Sequence, residues 1–286
     1  MKQMIRNIGS RCSSTQPLAP GHSRPVSAAI SLSLALAATL PFGAWASEII
    51  VPSDSIATIQ DAVNAAAPGD TIKVLPGSYD SVFIGTSGLK IQAETETGPV
   101  TVHDFMVIAE DVEIKGFDVS DGVTLIDSPR CQVSHNSVST GGIGIFVLGS
   151  PAAQIDHNTV DGDSGVWVSA CPAAHVDHNN IDADYIGIYM EDSNGAQVDH
   201  NRAVGTDGAG ISLWASSADR IEFNNAEGFH GIEVAGGGCG NAFEFNVAVG
   251  SEFGLYSDEN SQAPCNSYKK NNAATAFPSL KFWGAK

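Results

Sequence analysis

Histidines paired with carboxylates recur along this chain at a nearly constant interval. Four of them are each followed directly by an asparagine: His135, His157, His178 and His200. Three follow an aspartate directly: Asp156 before His157, Asp177 before His178, and Asp199 before His200. Imidazole and carboxylate groups are ligands that suit zinc or copper. The pattern therefore predicts either a metal-binding strip or an exposed strip on which the two kinds of charge partly neutralise each other.

A second group of residues offers aromatic rings on one predicted surface. Tetrapeptides of the form glycine, apolar, any, apolar recur in step with the histidines, and the alternation predicts strands whose third residue faces outward. These outward residues are Thr124, Phe146, Trp167, Tyr189, Ser212, Glu233 and Tyr256. Flat aromatic faces suit the apolar faces of sugar rings. We expect Phe146, Trp167, Tyr189 and the nearby Trp214 to bind a polysaccharide; cover by the C-terminal segment, or a dimer face, is the alternative.

Carboxyl groups flank the aromatic residues and offer acid–base chemistry. The candidate catalytic residues are Asp163, Asp184, Asp207 and His230. A glycosidase needs two carboxyl groups about 5 Å apart to retain configuration, or about 6.5–9.5 Å apart to invert it. A Ca²⁺ ion could instead bridge the same oxygens to an acidic sugar. The competing interpretation is that aspartate and glycine are simply the residues that tight bends prefer.

The elements that must position these residues follow from a repeat. Asparagines recur every 21 to 23 residues, at Asn136, Asn158, Asn179, Asn201, Asn224 and Asn246. A period of this length is typical of a solenoid, and short strands without intervening helices favour a parallel β-helix with three strands in each turn. Each asparagine is expected to adopt the left-handed conformation of a sharp bend. Stacked on successive turns, the amides are expected to form a ladder.

The two ends of the chain differ from the repeat. Residues 1–46 combine basic residues, an apolar run and a small-x-small cleavage site, which predicts a secretory signal peptide. Residues 47–286 are expected to form one domain without membrane insertion. Residues 59–66 predict a short amphipathic helix that caps the first turn, followed by a strand from Thr71 and a turn at 77–79. The segment from Phe277 to Lys286 is the expected C-terminal cap.

The charge of the chain excludes some partners. The formal net charge is −18, and removing residues 1–46 takes away four basic residues and no acidic ones, which gives −22. A surface this acidic repels nucleic acid and anionic lipid. It also disfavours polyanionic glycans unless a cation lies between the two surfaces.

Four cysteines remain after the predicted cleavage. Cys239 is seven residues before Asn246, and Cys265 is six residues before Asn271. The two cysteines should therefore lie on adjacent turns about 4.8 Å apart, which suits a disulfide. Cys131 and Cys171 lie two turns apart and are expected to remain thiols. Export permits such a bridge.

The string ATIQDAVNAAAPGDTIKVLPGSY, followed by repeats such as IDHNTV and GIGIFV, resembles the right-handed parallel β-helix superfamily of the pectate lyases. Within it, the sequence is most similar to small repeat proteins grouped with the periplasmic NosD-like family. The resemblance implies an all-β, right-handed parallel β-helix, here of about nine turns, in a periplasmic or secreted protein. The outward aromatic and acidic residues on this fold favour a polysaccharide-binding protein that could act as a lyase or hydrolase. The alternatives are a non-catalytic accessory protein that handles copper, and a structural or adhesive solenoid.

Overall fold

The structure is a computed structural model that describes residues 46–258, 265–273 and 275–277. The predicted signal peptide, apart from its last residue, and nearly all of the predicted C-terminal cap lie outside the described residues. Within the described ranges, no helix is both long and apolar enough to span a membrane.

Short parallel strands stack into the first of two sheets, which we call the short-strand sheet. Its eleven strands are Glu48–Val51, Thr71–Val74, Lys90–Ala93, Glu113–Lys115, Gln132–Ser134, Gln154–Asp156, His175–Asp177, Gln197–Asp199, Arg220–Glu222, Ala242–Glu244 and Ser267–Lys269. Each pairs with the equivalent strand of the next turn. The predicted right-handed parallel β-helix is confirmed. The eleven stacked strands agree with the expectation of about nine turns to within one or two.

The second sheet, the long-strand sheet, contains the predicted glycine strands. Its thirteen strands are Gly77–Tyr79, Val82–Ile84, Val100–Val107, Asp118–Ile126, Ser137–Ser139, Ile143–Leu148, Thr159–Ser169, Asn180–Glu191, Arg202–Trp214, Asn225–Ala235, Val247–Ser257, Asn272–Ala273 and Ala276–Phe277. The prediction of three separate strands in each turn is wrong for the central turns. There the strand after the asparagine and the glycine strand are continuous, because pairing carries on around the corner through a bulge such as that between Gly162 and Ser164.

The recurring glycine lies at this corner for reasons of space. A Cβ added to Gly165 would meet Cγ2 of Ile181 and the carbonyl oxygen of Gly187 on the next turn. A Cβ on Gly187 would lie 2.5 Å from the carbonyl oxygen of Gly210. The close approach of successive backbones, rather than a positive φ, therefore requires glycine here.

The asparagines form the predicted ladder. The Oδ1 atom of Asn179 accepts hydrogen bonds from the backbone N–H of Asn158 at 2.9 Å and from its Nδ2 at 3.1 Å. Equivalent bonds link Asn136 through to Asn271. Each amide also donates to a backbone carbonyl, as Asn179 Nδ2 does to Ile155 at 2.8 Å.

The left-handed residue of the bend is not the asparagine, which corrects the sequence-based expectation. Positive φ occurs one residue earlier, at 57° for His157 and 54° for His178 for example. Phe223 and Phe245 take the same conformation in later turns. The asparagine side chain must point inward to reach the next turn, so the residue before it makes the bend and faces outward.

The helix Ile59–Ala65 closes the first turn as predicted. Thr58 is its N-cap, and its Oγ1 accepts the backbone N–H of Asp61 at 3.0 Å. Ile59, Ala62 and Val63 are buried against the core. The expected turn at 77–79 is instead a strand, because it pairs in parallel with residues 100–102 of the next turn.

The cysteines behave as expected from their spacing. A disulfide joins Cys239 to Cys265, whose Cα atoms lie 5.3 Å apart. Cys131 and Cys171 are buried thiols. Burial raises the pKa of each thiol to about 11.

Candidate functional site

The outward residues of the long-strand sheet form one file along the solenoid. Phe146 pairs with Trp167, and Trp167 pairs with Tyr189 on the next turn. The file extends from Thr124 before them to Ser212, Glu233 and Tyr256 after them. Ser212, expected to face solvent, is covered by its neighbours and is 3% exposed. Residues more than 100 positions apart in the sequence thus share one wall of the molecule.

The three aromatic residues, which we call the aromatic file, pack edge to face. The ring centroids of Phe146 and Trp167 are 6.4 Å apart, and those of Trp167 and Tyr189 are 4.6 Å apart. All three are half-buried rather than fully exposed, which corrects the expectation of a solvent-facing patch. Each ring shields its neighbour, since the turns are closer together than the rings are wide. Each of the three residues keeps part of its surface accessible to solvent.

Trp214 lies beside this file rather than within it. It pairs with Glu191 in the adjacent outward file, and 47% of its surface is exposed. It is the most exposed of the four predicted stacking residues. Its indole lies close to Gly236 on the next turn, where an added Cβ would be 3.0 Å from Cε2.

His230 lies among carboxylates and a tyrosine at the far end of the same wall. Its Nε2 is 3.3 Å from Oε2 of Glu252, and its Nδ1 is 3.8 Å from Oε2 of Glu233. Its ring is stacked on Tyr256, with centroids 4.6 Å apart and planes 6° apart. The His230 side chain is only 14% exposed. A histidine held between two carboxylates can exchange a proton with a bound ligand.

The predicted aspartates occupy a different position. Asp163, Asp184 and Asp207, the corner row, lie at the bulges between the two halves of the long strands, and all are exposed. Among the described residues, none of them forms a hydrogen bond or ion pair. The partners of His230 are Glu233 and Glu252, not Asp207. Glu233 could be found from the register of its strand, whereas the approach of Glu252 depends on the irregular corner.

The wall around the aromatic file is negative. Burial raises the pKa of Tyr189, and the charges of Glu191 and Glu233 raise it further. Arg202 is the sole lysine or arginine in the described strands of the long-strand sheet, whereas acidic residues recur in most of them. The Arg202 side chain lies at the start of its strand, where its Nη1 donates a hydrogen bond to Oδ1 of Asn180 at 3.4 Å.

The four histidines form a second file, the histidine ladder, at the asparagine bends. Successive rings from His135 to His200 are almost parallel, with centroids 4.8 or 4.9 Å apart. Phe223 and Phe245 extend the stack at 5.0 and 4.8 Å. The rings are about half exposed.

Carboxylates orient the ladder. The Nδ1 atoms of His178 and His200 lie 2.9 and 3.0 Å from the carboxylates of Asp177 and Asp199. With the proton on Nδ1, each ring donates to its aspartate and keeps Nε2 as a ligand atom. His175, which the sequence pattern did not single out, also binds Asp199 through Nε2 at 2.7 Å.

The ladder contains a group with metal-ligand spacing. Ligand atoms of His135, Asp156 and His157 all lie within 4.8 Å of one another. A second such group consists of His103, Asp104 and Asp121, near the N-terminal end of the long-strand sheet. The corner row forms no comparable group within the described part of the chain. Imidazole with carboxylate fits copper or zinc better than calcium, which prefers oxygen ligands.

The two stacked sheets and the asparagine ladder define a right-handed parallel β-helix protein. The chain belongs to the NosD family, described as periplasmic copper-binding protein, whose model matches residues 78–276. No curated protein sequence matches it significantly.

Solved structures share the fold at low sequence identity. An alginate lyase from Paenibacillus sp. str. FPU-7 is similar over 81% of this chain and 96% of its own, with a TM-score of 0.56 and 13% identity. A double mutant of the periplasmic alginate epimerase AlgG is similar over 82% and 81%, with a TM-score of 0.52 and 15% identity. Pectate lyase Pel9A is similar over 84% of this chain and 82% of its own, with a TM-score of 0.50 and 10% identity. These likenesses establish the architecture alone.

Proposed function

We propose that this protein is exported to the periplasm or cell exterior and binds a polysaccharide along the wall that carries the aromatic file. The observation that carries the proposal is the register of Phe146, Trp167 and Tyr189 on three successive turns. A repeating ligand is matched by a repeating row of rings, and the neighbouring polar groups can bind sugar hydroxyls. The structural neighbours named for acting on alginate and pectate support a glycan ligand.

Cleavage of the bound glycan would require an acid–base group on this wall, and His230 has the best position. Its ring lies between Glu233 and Glu252 and is stacked on Tyr256. The corner row of Asp163, Asp184 and Asp207 could supply further carboxyl groups to a bound chain. A rise in absorbance from unsaturated sugar products would identify a lyase, and new reducing ends without that rise would identify a hydrolase.

A glycan array followed by calorimetry tests the proposal. Trp167→Ala should weaken binding by about tenfold or more, because it removes the central ring of the file. Trp167→Phe should retain most of the affinity, which separates loss of the ring from loss of folding. Phe223→Ala, which removes an exposed ring on the histidine ladder, is the matched control. No binding to any glycan, or wild-type affinity in Trp167→Ala, would refute the proposal.

A second candidate function, binding of copper as a cargo, is favoured by the histidine ladder. Its imidazoles face outward, with Nδ1 of each of the last three against an aspartate, an arrangement that strengthens a histidine as a metal ligand. His135, Asp156 and His157 are the residues best placed to hold the ion. The family description supports copper in particular.

Titration with Cu²⁺, followed by calorimetry and electron paramagnetic resonance, tests this second function. The double variant His157→Ala with His178→Ala should lose binding, whereas His103→Ala should keep it. Equal binding by the double variant would exclude the ladder. If neither glycan nor copper binds, the structural or adhesive solenoid remains.

A further inference from the structure

We infer that the polysaccharide held by the aromatic file is cationic, a polymer of amino sugars with unacylated amines, and not a polyuronate. This inference rests on the proposed function, because it names the chemical class of ligand for the same wall. It follows from how charge is distributed between the two sheets.

The positive side chains of the sheets are concentrated on the short-strand sheet. Its strands carry Lys73, Lys90, Lys115, Arg220 and Lys269. Most of these are already engaged: Lys73 lies 3.1 Å from Glu48, Arg220 lies 2.8 Å from Glu222, and Lys269 lies 2.9 Å from Glu244. In the described strands of the long-strand sheet, Arg202 is the only lysine or arginine that could pair with a glycan carboxylate, and it lies at the asparagine end of its strand, away from the rings. A polyuronate bound to the aromatic file would therefore lack a counter-charge.

Carboxylates surround the rings on the same wall. Glu191 follows Tyr189 by two residues on the same face of the strand, and its Oε2 accepts a hydrogen bond from Ser169 at 3.1 Å. Glu233 continues the file two turns beyond Tyr189 and is 27% exposed. Their charges raise the pKa of the Tyr189 hydroxyl in addition to the effect of its burial. The negative charges of Glu191 and Glu233 therefore act on the aromatic file itself.

The chemistry of an amino sugar matches each of these features. Its apolar ring face packs on an aromatic side chain, and its ammonium group is attracted to the face of tryptophan or tyrosine. The same ammonium group can donate charge-assisted hydrogen bonds to Glu191 and Glu233. A uronate would instead bring its carboxylate toward these two glutamates, and like charges in an interface suppress binding.

Calorimetry with three hexasaccharides tests the inference. The probes are a glucosamine hexamer, an N-acetylglucosamine hexamer and a galacturonate hexamer, at equal ionic strength. We expect the glucosamine hexamer to bind about tenfold more tightly than its acetylated counterpart. The galacturonate hexamer should not bind, with or without added Ca²⁺.

Two matched double variants distinguish binding to carboxylates beside the aromatic file from attraction to the acidic surface as a whole. Glu191→Gln with Glu233→Gln should abolish the preference, so that the glucosamine and N-acetylglucosamine hexamers bind with equal affinity. Glu94→Gln with Glu96→Gln removes the same charge near the N-terminal end and should leave the preference intact. Equal effects of the two double variants would overturn the inference, because they would show attraction to the whole acidic surface.

The failure of this inference differs from the failure of the proposed function. If the N-acetylglucosamine hexamer binds as tightly as the glucosamine hexamer, the inference of a cationic ligand is overturned. Binding of a polysaccharide to the aromatic file then remains supported. Binding of the galacturonate hexamer, alone or through Ca²⁺, likewise overturns the charge assignment only. Absence of binding to all three hexamers, with another glycan on the array bound, overturns the inference alone, whereas absence of binding to every glycan refutes both.

Discussion

The carboxyl group of Asp219 should make the stability of this protein depend on pH in a defined way. Asp219 is 1% exposed, and its Oδ1 accepts the backbone N–H of Ala196 at 2.8 Å. Its Oδ2 has no hydrogen-bond partner among the described residues. Burial raises the pKa of Asp219 from its ordinary value of 3.8 to about 7, although hydrogen bonds from the backbone of Ala196 and Gly195 act in the opposite direction.

The folded protein therefore binds this proton more tightly than the unfolded chain. The corresponding stability is fully present below about pH 4, is lost as the pH rises toward 7, and is absent above that. At about 1.4 kcal/mol for each pH unit, the difference between the two pKa values amounts to about 4 kcal/mol of unfolding free energy.

Asp219→Asn removes the titration and supplies a donor at the position of Oδ2. The neighbouring rung shows that an amide fits, because Asn241 accepts the N–H of Asp219 at 2.9 Å and donates to the carbonyl of Ser216 at 3.0 Å. At pH 8 the variant should be more stable than wild type by about 2 to 4 kcal/mol. At pH 4 the two proteins should be nearly equal in stability.

Urea unfolding followed by circular dichroism at both pH values measures this difference, and hydrogen exchange of the Ala196 amide reports it locally. Asn241→Asp should create a second buried carboxyl and steepen the pH dependence. Asp118→Asn, at an exposed position, should leave it unchanged. Parallel stability curves for wild type and Asp219→Asn between pH 4 and about pH 8 would show that the burial argument is wrong.

Three further outcomes follow from the turns and the cysteines. Asn179→Ala should lower the unfolding free energy by about 3 kcal/mol, because it leaves the Asn158 amide and the Ile155 carbonyl without a buried partner; a loss below about 1 kcal/mol in urea unfolding would contradict the ladder argument. Gly187→Ala should destabilise by about 2 kcal/mol or more, whereas Gly141→Ala, which has open space around it, should be neutral; equal thermal midpoints would contradict the corner geometry. In a chain starting at Ser47, Cys131 and Cys171 should resist thiol reagents until the protein unfolds, since both are buried with raised pKa values; rapid labelling of the folded protein would contradict this.

The sequence predicts most of the files because a solenoid returns each repeat to the same position. The asparagine ladder, the row from Phe146 to Tyr189 and the Cys239–Cys265 bridge all follow from counting residues within a repeat. The left-handed bend did not follow, because local preference favours asparagine there. The need to bridge adjacent turns with the amide overrides that preference and places the bend at His157 or Phe223 instead.

The corner could not be predicted because its length varies. Asn158 and Gly165 are seven residues apart, whereas Asn201 and Gly210 are nine apart. Each insertion is absorbed by a local bulge, so the residues between these points have no fixed neighbour on the next turn. The predicted corner row consists of such residues. Glu252 also lies in this variable segment, and its contact with His230 is visible only in the structure.

This division between fixed and variable positions explains why the repeat identifies the fold and leaves the ligand to be proposed. The inward apolar residues, the asparagine and the corner glycine recur in nearly every turn, because stacking requires them. The outward file changes from turn to turn, from Phe146 through Ser212 to Glu233, since stacking places no demand on it. Selection for a ligand can act on that file without loss of the fold, and its chemistry is therefore where the function of this chain must be tested.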